Sequence, residues 1–299
     1  MLKLMVVSSA PYIWGKDSTH TIMRDVLIAL VPALLASIWI FGIRTLAVTI
    51  VCVGVAMLAE DLFERATGRP NTVNDLSAAV TGTLLAFCLP ADIPYWVAGL
   101  GSVIAIVVVK QLFGGIGQNF ANPAITARVI LLLCGFGGAM TTFAVDGVTA
   151  ATPLADGGVY PGLGAMLLGT RGGSLGETCT IALLLGGAYL LYRRVITWHI
   201  PVTYLGTVFV VSLLAGQNLG LQMFGGGLML GAFFMATDYT TSPMTDKGKL
   251  IYGVGCGLLT MMIRLWGSVP EGVSYAILLM NILTPHIDRV VRMKPLGGA

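Results

Sequence analysis

The sequence predicts an all-α polytopic membrane protein of about ten transmembrane helices in two inverted five-helix repeats, and three observations carry that expectation. The first is composition: 56% of the residues are hydrophobic and only 10% are charged, with a mean hydropathy of +0.86, whereas soluble domains carry charge on about a quarter of their residues. The second is that the apolar residues fall in runs of roughly twenty, the length a helix needs to cross about 30 Å of hydrocarbon. The third is an internal recurrence: Ile28-Ala29-Leu30 returns as Ile181-Ala182-Leu183, Pro90 as Pro243, and Leu112-Phe113-Gly114 as Leu265-Trp266-Gly267, each about 153 positions later. A unit of five spans is odd, so its second copy enters the membrane upside down. Repeats of that kind place their functional centre near the midplane, at interrupted helices.

Taken in order, residues 1–24 form a mixed amphipathic arm on the cytoplasmic side. Its apolar run from Leu4 to Val7 is too short for the core of a signal peptide, so the N-terminus is expected to remain uncleaved. The first repeat covers 25–136, with spans near 25–43, 45–62, 73–90, 94–112 and 118–136. Arg69-Pro70-Asn71-Thr72-Val73-Asn74-Asp75 interrupts it before the third span, where Asn74 or Asp75 can cap the helix amides. Residues 137–176 are a polar, small-residue loop. The second repeat, 177–286, has spans near 177–193, 199–216, 221–238, 249–266 and 270–286, and 287–299 is a short tail. Thr237-Asp238-Tyr239-Thr240-Thr241-Ser242-Pro243 interrupts this half as 69–75 interrupts the first. Both interruptions can line a polar cavity, because backbone freed from helical bonding at membrane depth must be satisfied by protein or water. Each can equally be an ordinary loop or helix cap.

In such a chain the position of the basic residues matters more than the formal net charge of +3, which says nothing about nucleic acid. With the N-terminus inside, Lys3, Lys16, Arg24, Arg65, Arg69, Lys110, Arg193, Arg194, Lys247, Lys249, Arg289, Arg292 and Lys294 fall inside or at the inner boundary. Only Arg44, Arg128, Arg171 and Arg264 do not. The loop 137–176 is then extracytoplasmic and both termini are cytoplasmic. Cys52, Cys88, Cys134, Cys179 and Cys256 show no paired spacing and read as packing residues, and no metal site is expected. His20, His199 and His286 read as interfacial polar groups. The glycines of Gly225-Gly226-Gly227 and Gly253, Gly255 and Gly257 read as sites of close helix approach. Glu60, Asp61, Asp75 and Asp238 are the acidic groups nearest membrane depth, and Asp75 and Asp238, at the interruptions, are the candidates for an ion pathway.

The loop carries the most specific pattern. Asp146-Gly147-Val148-Thr149-Ala150-Ala151-Thr152 resembles the flavin-attachment motif Asp-Gly-x-Ser/Thr-Gly-Ala-Thr, with Ala150 where glycine is commoner. In that motif a bacterial flavin transferase joins FMN through its phosphate to the last threonine. The residues suit the chemistry: a hydroxyl nucleophile in Thr152, small neighbours, and an acceptor in Asp146, with Thr149 in support. The stretch from Gly114 to Ala124, Gly-Gly-Ile-Gly-Gln-Asn-Phe-Ala-Asn-Pro-Ala, departs from the family's pattern only at Ala121, where phenylalanine is common. With it, the run Met235-Ala236-Thr237-Asp238 through Lys247-Gly248-Lys249 and the arm from Ser8 to Ala33 make nearly the whole chain resemble the D subunit of the Rnf ion-translocating electron-transfer complex. That protein is related to the B subunit of the sodium-pumping quinone reductase. The resemblance implies a multi-pass component of the bacterial cytoplasmic (inner) membrane, with covalent FMN on Thr152 and a second, noncovalent flavin, riboflavin, in the membrane part. It implies partners in the C, G, E, A and B subunits, a flavin transferase and membrane lipid, and no nucleic acid. It also implies an activity exerted within the complex, coupling electron transfer between ferredoxin and NAD to Na+ or H+ translocation. The competing reading is a passive inverted-repeat channel or permease without a redox role.

Overall fold

The computed structural model describes residues 18–141, 143–145, 148–150, 154, 160–267 and 272–291. In chain order the helices are α1 (Thr19–Phe41), α2 (Arg44–Thr67), α3 (Ser77–Phe87), α4 (Tyr95–Val103), α5 (Pro123–Leu131) and α6 (Gly137–Thr141). A hairpin of β1 (Phe143–Val145) and β2 (Val148–Ala150) follows. Then come α7 (Leu163–Leu168), α8 (Thr180–Tyr192), α9 (His199–Leu214), α10 (Leu219–Phe224), α11 (Leu228–Leu230), α12 (Asp246–Trp266) and α13 (Val273–Val290). Three helices continue in wider π-helical turns: α4 over Ile104–Gln111, α5 over Leu132–Phe136 into α6, and α11 over Gly231–Met235.

Among the described residues four helices are long and apolar enough to cross a membrane: Thr19–Phe41, Arg44–Thr67, Pro123–Thr141 and Asp246–Trp266. Their ends follow from local chemistry. Ser18 and Thr21 form a reciprocal capping box at the start of α1. Asn122 accepts from the amides of Ala124 and Ile125, with Pro123 in the first turn of α5, where a missing N–H costs nothing. Thr245 accepts from Gly248 N–H at 3.0 Å to start α12. Gly68, at φ 67°, closes α2 in the left-handed conformation that an L side chain resists.

Other expected spans are shorter: Ser77–Phe87, Tyr95–Gln111, Thr180–Tyr192 and His199–Leu214, and two of the expected spans are interrupted. The stretch expected as 73–90 is a single 3-10 turn, Val73–Asp75, followed by the eleven-residue α3. At 1.5 Å per residue α3 is about 16 Å long, roughly half the hydrocarbon thickness. Asn74 and Asp75 do not cap it. The cap position is Leu76, held at φ 61° with no side-chain hydrogen bond, so the turn enters α3 through a left-handed residue rather than a capping side chain. The stretch expected as 221–238 breaks at Gly225-Gly226-Gly227, which separates α10 from α11. Those glycines end a helix, as residues without a Cβ readily do, in addition to permitting close approach. Every residue of α3 is buried, as is every residue from Leu228 to Met235, whereas the long helices each keep an exposed face.

Packing follows the small residues. A Cβ on Gly82 of α3 would lie 2.8 Å from Val53 Cα, so α3 and α2 touch backbone to backbone. On α12, a Cβ at Gly257 would lie 2.6 Å from Thr207 Cβ, and one at Gly253 would overlap the Thr203 hydroxyl, so the expected close approach is made against α9. Leu30, Phe87, Ile125, Leu183, Tyr204 and Cys256 belong to one buried cluster, so both halves share a core. Cys52, Cys88 and Cys256 are buried in apolar packing. After α7 the chain turns back into the bundle: Leu175 N–H donates to Leu89 O at 2.9 Å and Gly176 N–H to Phe87 O at 3.0 Å. These bonds satisfy carbonyls at the end of α3 that the helix itself cannot.

Candidate functional site

The run before α5 and the turn before α12 meet across the two halves. Asn119, Asn122 and Pro123 from the first, and Thr237, Asp238, Tyr239 and Thr240 from the second, line one cavity. Asn122 Nδ2 donates to Met235 O at 3.4 Å, and Asn119 Nδ2 to Thr240 Oγ1 at the same distance, stitching the halves together. The Asp238 carboxylate accepts from Thr240 Oγ1 at 3.0 Å, Thr241 Oγ1 at 3.3 Å and Thr240 N–H at 3.4 Å. It is therefore fixed by its own turn, as an aspartate at a helix break commonly is. Phe233, Phe234, Leu84 and Val80 supply apolar wall, and Ser77 and Lys110 supply polar wall, around an empty volume of about 760 Å³.

Behind Lys110 lies a charge network that local spacing could not reveal. Glu60 and Glu64, one turn apart on α2, are 0% and 2% exposed. Lys110 Nζ pairs with Glu60 Oε1 and donates to Ser77 Oγ at 2.7 Å. Gln111 Nε2 bridges the carboxylates at 2.9 Å and 3.1 Å, and Thr72 donates to Glu64 from both backbone and hydroxyl, the backbone bond at 2.9 Å. Two buried carboxylates are thus held by one ammonium and neutral donors, the arrangement that lets buried charge persist. Sequence reasoning singled out Glu60 and placed Lys110 at the inner boundary, but missed Glu64, Gln111 and the pairing. The available signal was a Lys-Gln pair ending an apolar run opposite two carboxylates in another.

The expected site residues are distributed unevenly. Asp238 lines the cavity. Asp75 sits in the 3-10 turn two residues before Ser77, partly buried and outside the cavity lining. Thr149 lies in β2, paired with Ala144, while Asp146 and Thr152 lie outside the described residues. α5 starts at the cavity with Pro123 and continues, through a kink at Gly135 (φ 91°), to Thr141, directly before the hairpin in sequence.

Three of the four arginines that break the inside bias come together around Glu177 and α10. Arg128 pairs with Glu177 at 3.0 Å, Arg171 donates to Glu177 O and Phe224 O, and Arg264 donates to Gln222 O and Gly225 O. Arg44 stands apart, 3.3 Å from Asp92.

The sequence pattern of the NQR2, RnfD, RnfE family matches residues 6–297, essentially the full length. The chain belongs to that family. It is 49% identical over 304 residues to the D subunit of the Na(+)-translocating ferredoxin:NAD(+) oxidoreductase complex of Acetobacterium woodii, covering 98% of this chain and 95% of that protein. It is 42% identical to the D subunit of the proton-translocating ferredoxin:NAD(+) oxidoreductase complex of Clostridium ljungdahlii, covering 98% and 96%. It is 36% identical to the D subunit of the ion-translocating oxidoreductase complex of Aliivibrio salmonicida, covering 97% and 98%. The family resemblance read from the sequence is thus the chain's family, and its helices are those of a multi-pass membrane protein.

Proposed function

We propose that this chain is the membrane-embedded D-type subunit of an ion-translocating ferredoxin:NAD oxidoreductase complex of the bacterial cytoplasmic membrane, working with C, G, E, A and B subunits. It carries FMN through a phosphoester on Thr152. The observation that carries this reading is that the bundle holds a polar cavity lined by Asp238, while the sequence soon after α6 carries the threonine-bearing attachment pattern. A passive permease needs the cavity but has no use for the loop.

At the loop, the β1–β2 pairing supports the attachment reading, because Val145 opposite Val148 leaves only Asp146 and Gly147 between the strands, and Thr152 follows β2 by two residues. Ala150 and Ala151 are small enough to let a transferase reach the Thr152 hydroxyl, and Asp146 is the acceptor that orients it. FMN, when attached, supplies one- and two-electron chemistry, while the protein contributes position and electrostatics.

At the cavity, apolar and polar groups line the same space. Phe233 and Phe234 offer apolar faces, and Asn119, Asn122, Thr237 and Thr240 offer donors and acceptors suited to a noncovalent flavin such as riboflavin. Asp238, with Asp75 at the first interruption, is the carboxylate we assign to ion passage. The relatives' names divide between Na+ and protons, so the ion itself is set by detail finer than the family.

The two-repeat reading is supported by a break before the third element of each half, at Val73–Asp75 before α3 and at Gly225-Gly226-Gly227 before α11. α2 packs on α4 as α9 packs on α12, and α1 meets α8 as α5 meets α13. The test is fluorescence of the polypeptide in a denaturing gel after expression with a flavin transferase. A fluorescent band that goes dark in Thr152→Ala supports the reading; a band that is dark in the parent protein favours the permease.

A further inference from the structure

The two stretches that meet at the cavity carry backbone groups that no continuous helix bonds, and both are answered from one face of α13. Asn281, Thr284 and Asp288 follow one another at spacings of three and four residues, so they share that face. In the amide orientation that satisfies both its ends, Asn281 Oδ1 accepts from Asn122 N–H at 3.0 Å, and its Nδ2 donates to the Tyr252 hydroxyl and to Ile277 O, the latter at 3.3 Å. About one turn on, Thr284 Oγ1 donates to Thr241 O at 2.9 Å, with Met280 O sharing the proton at 3.0 Å. Asp288 Oδ1 accepts from Met244 N–H at 3.3 Å. Asn122 caps α5, and Thr241 belongs to the turn that holds the Asp238 carboxylate, to which its own hydroxyl donates at 3.3 Å. One helix face therefore grips the wall that each half of the chain supplies.

Burial shows what these side chains are for. Tyr252, Asn281 and Thr284 are 0%, 1% and 7% exposed, and a polar side chain buried that deeply costs more than leucine or valine unless it is bonded. None of the three is among the residues that line the cavity, so they reach it only through Asn122 and Thr241. Backbone freed at an interruption must be satisfied by protein or water, and here a single rigid element satisfies both interruptions.

We propose that Asn281, oriented by Tyr252, and Thr284 are positioning residues for the cavity: α13 holds the two walls in one register, so that Asn119 and Asn122 on one side and Thr237, Asp238 and Thr240 on the other meet a single ligand at a fixed separation. This rests on the noncovalent flavin proposed above for that cavity.

The experiment reads ligand binding rather than turnover. The assembled complex is stripped of noncovalent flavin, and binding of added riboflavin is measured by equilibrium dialysis for the parent protein, Thr284→Val, Thr284→Ser, Tyr252→Phe and the Thr284→Val/Tyr252→Phe double variant, with a thermal melt of each. Valine and phenylalanine remove one hydroxyl and nearly keep the shape, whereas serine keeps the hydroxyl. One buried hydrogen bond is worth about three- to tenfold in an equilibrium, so each of Thr284→Val and Tyr252→Phe should weaken riboflavin binding by that factor, and Thr284→Ser should stay within about twofold of the parent. The double variant should lose less than the product of the two single losses, because both act on one register. A purely structural role would lower the melting temperature and leave the dissociation constant of the folded protein unchanged. That result overturns the inference, as does a double variant that loses the full product. Should Thr284→Val not assemble, Tyr252→Phe decides alone, and parent-like binding in it overturns the inference. A parent complex that binds no riboflavin removes the flavin reading of the cavity and this inference together, whereas a binding parent matched by both single variants removes this inference alone.

Discussion

Two charged clusters are held in different ways. At the cavity, side chains answer side chains: Lys110 and Gln111 hold Glu60 and Glu64, and Thr240 and Thr241 hold Asp238. Around α10, Arg171 and Arg264 mostly answer backbone carbonyls of a short helix, beside the Arg128–Glu177 pair. Side-chain networks can rearrange as a charge enters or leaves, since each member has other rotamers. Guanidinium groups bonded to main chain fix geometry.

The largest effect is expected from Thr152→Ala, which should abolish in-gel flavin fluorescence completely while leaving the cavity unaltered. Next in size is Lys110→Ala, which strands the Glu60 carboxylate at 0% exposure and should destabilise the detergent-solubilised protein by about 3–5 kcal/mol in thermal melts. Pairing Lys110→Met with Glu60→Leu should recover most of that loss, and no recovery would show that the pair is not the source. Asp238→Asn removes charge and keeps shape. It should retain covalent flavin and lower the ions taken up per electron severalfold in reconstituted vesicles, and unchanged uptake would remove Asp238 from the ion path. The smallest effect belongs to Asp61→Asn, next to Glu60 in sequence but only partly buried and paired with the exposed Arg65 at 2.8 Å; it should shift stability by less than about 1 kcal/mol. If Asp61→Asn and Lys110→Ala cost the same, burial is not what separates these groups.

What the sequence made legible depends on range. The long spans are close to their observed places, 45–62 against Arg44–Thr67 and 249–266 against Asp246–Trp266, because a run of apolar residues is a local signal. The interruption around Asp238 was legible for the same reason, as Thr-Thr-Ser-Pro cannot continue a helix. α3 was not. Its apolar run continues through Cys88 and Leu89, and nothing in its composition shows that Leu76 adopts a left-handed conformation or that lipid never reaches it. The α10–α11 break shows a different difficulty, since three glycines serve equally for helix approach and for helix termination, and only their neighbours decide. Glu60 with Lys110, Arg128 with Glu177 and Arg264 with Gln222 pair across about fifty residues of sequence or nearly so. No window of local pattern contains both partners.

The shortness of α3 and of the segment after Gly227 bears on how the protein is made. Neither is long enough to be threaded across a bilayer alone, and α3 presents no face to lipid once in place. In lipid their unpaired terminal carbonyls and amides would be costly. The long helices must therefore already stand in the membrane before α3 can leave the surface, and the loop carrying Leu175 and Gly176, which satisfies the end of α3, belongs to the second half of the chain. The first half is thus unfinished at the moment its last residue is synthesised, and it waits for residues made almost ninety positions later before its own third helix has anywhere stable to go.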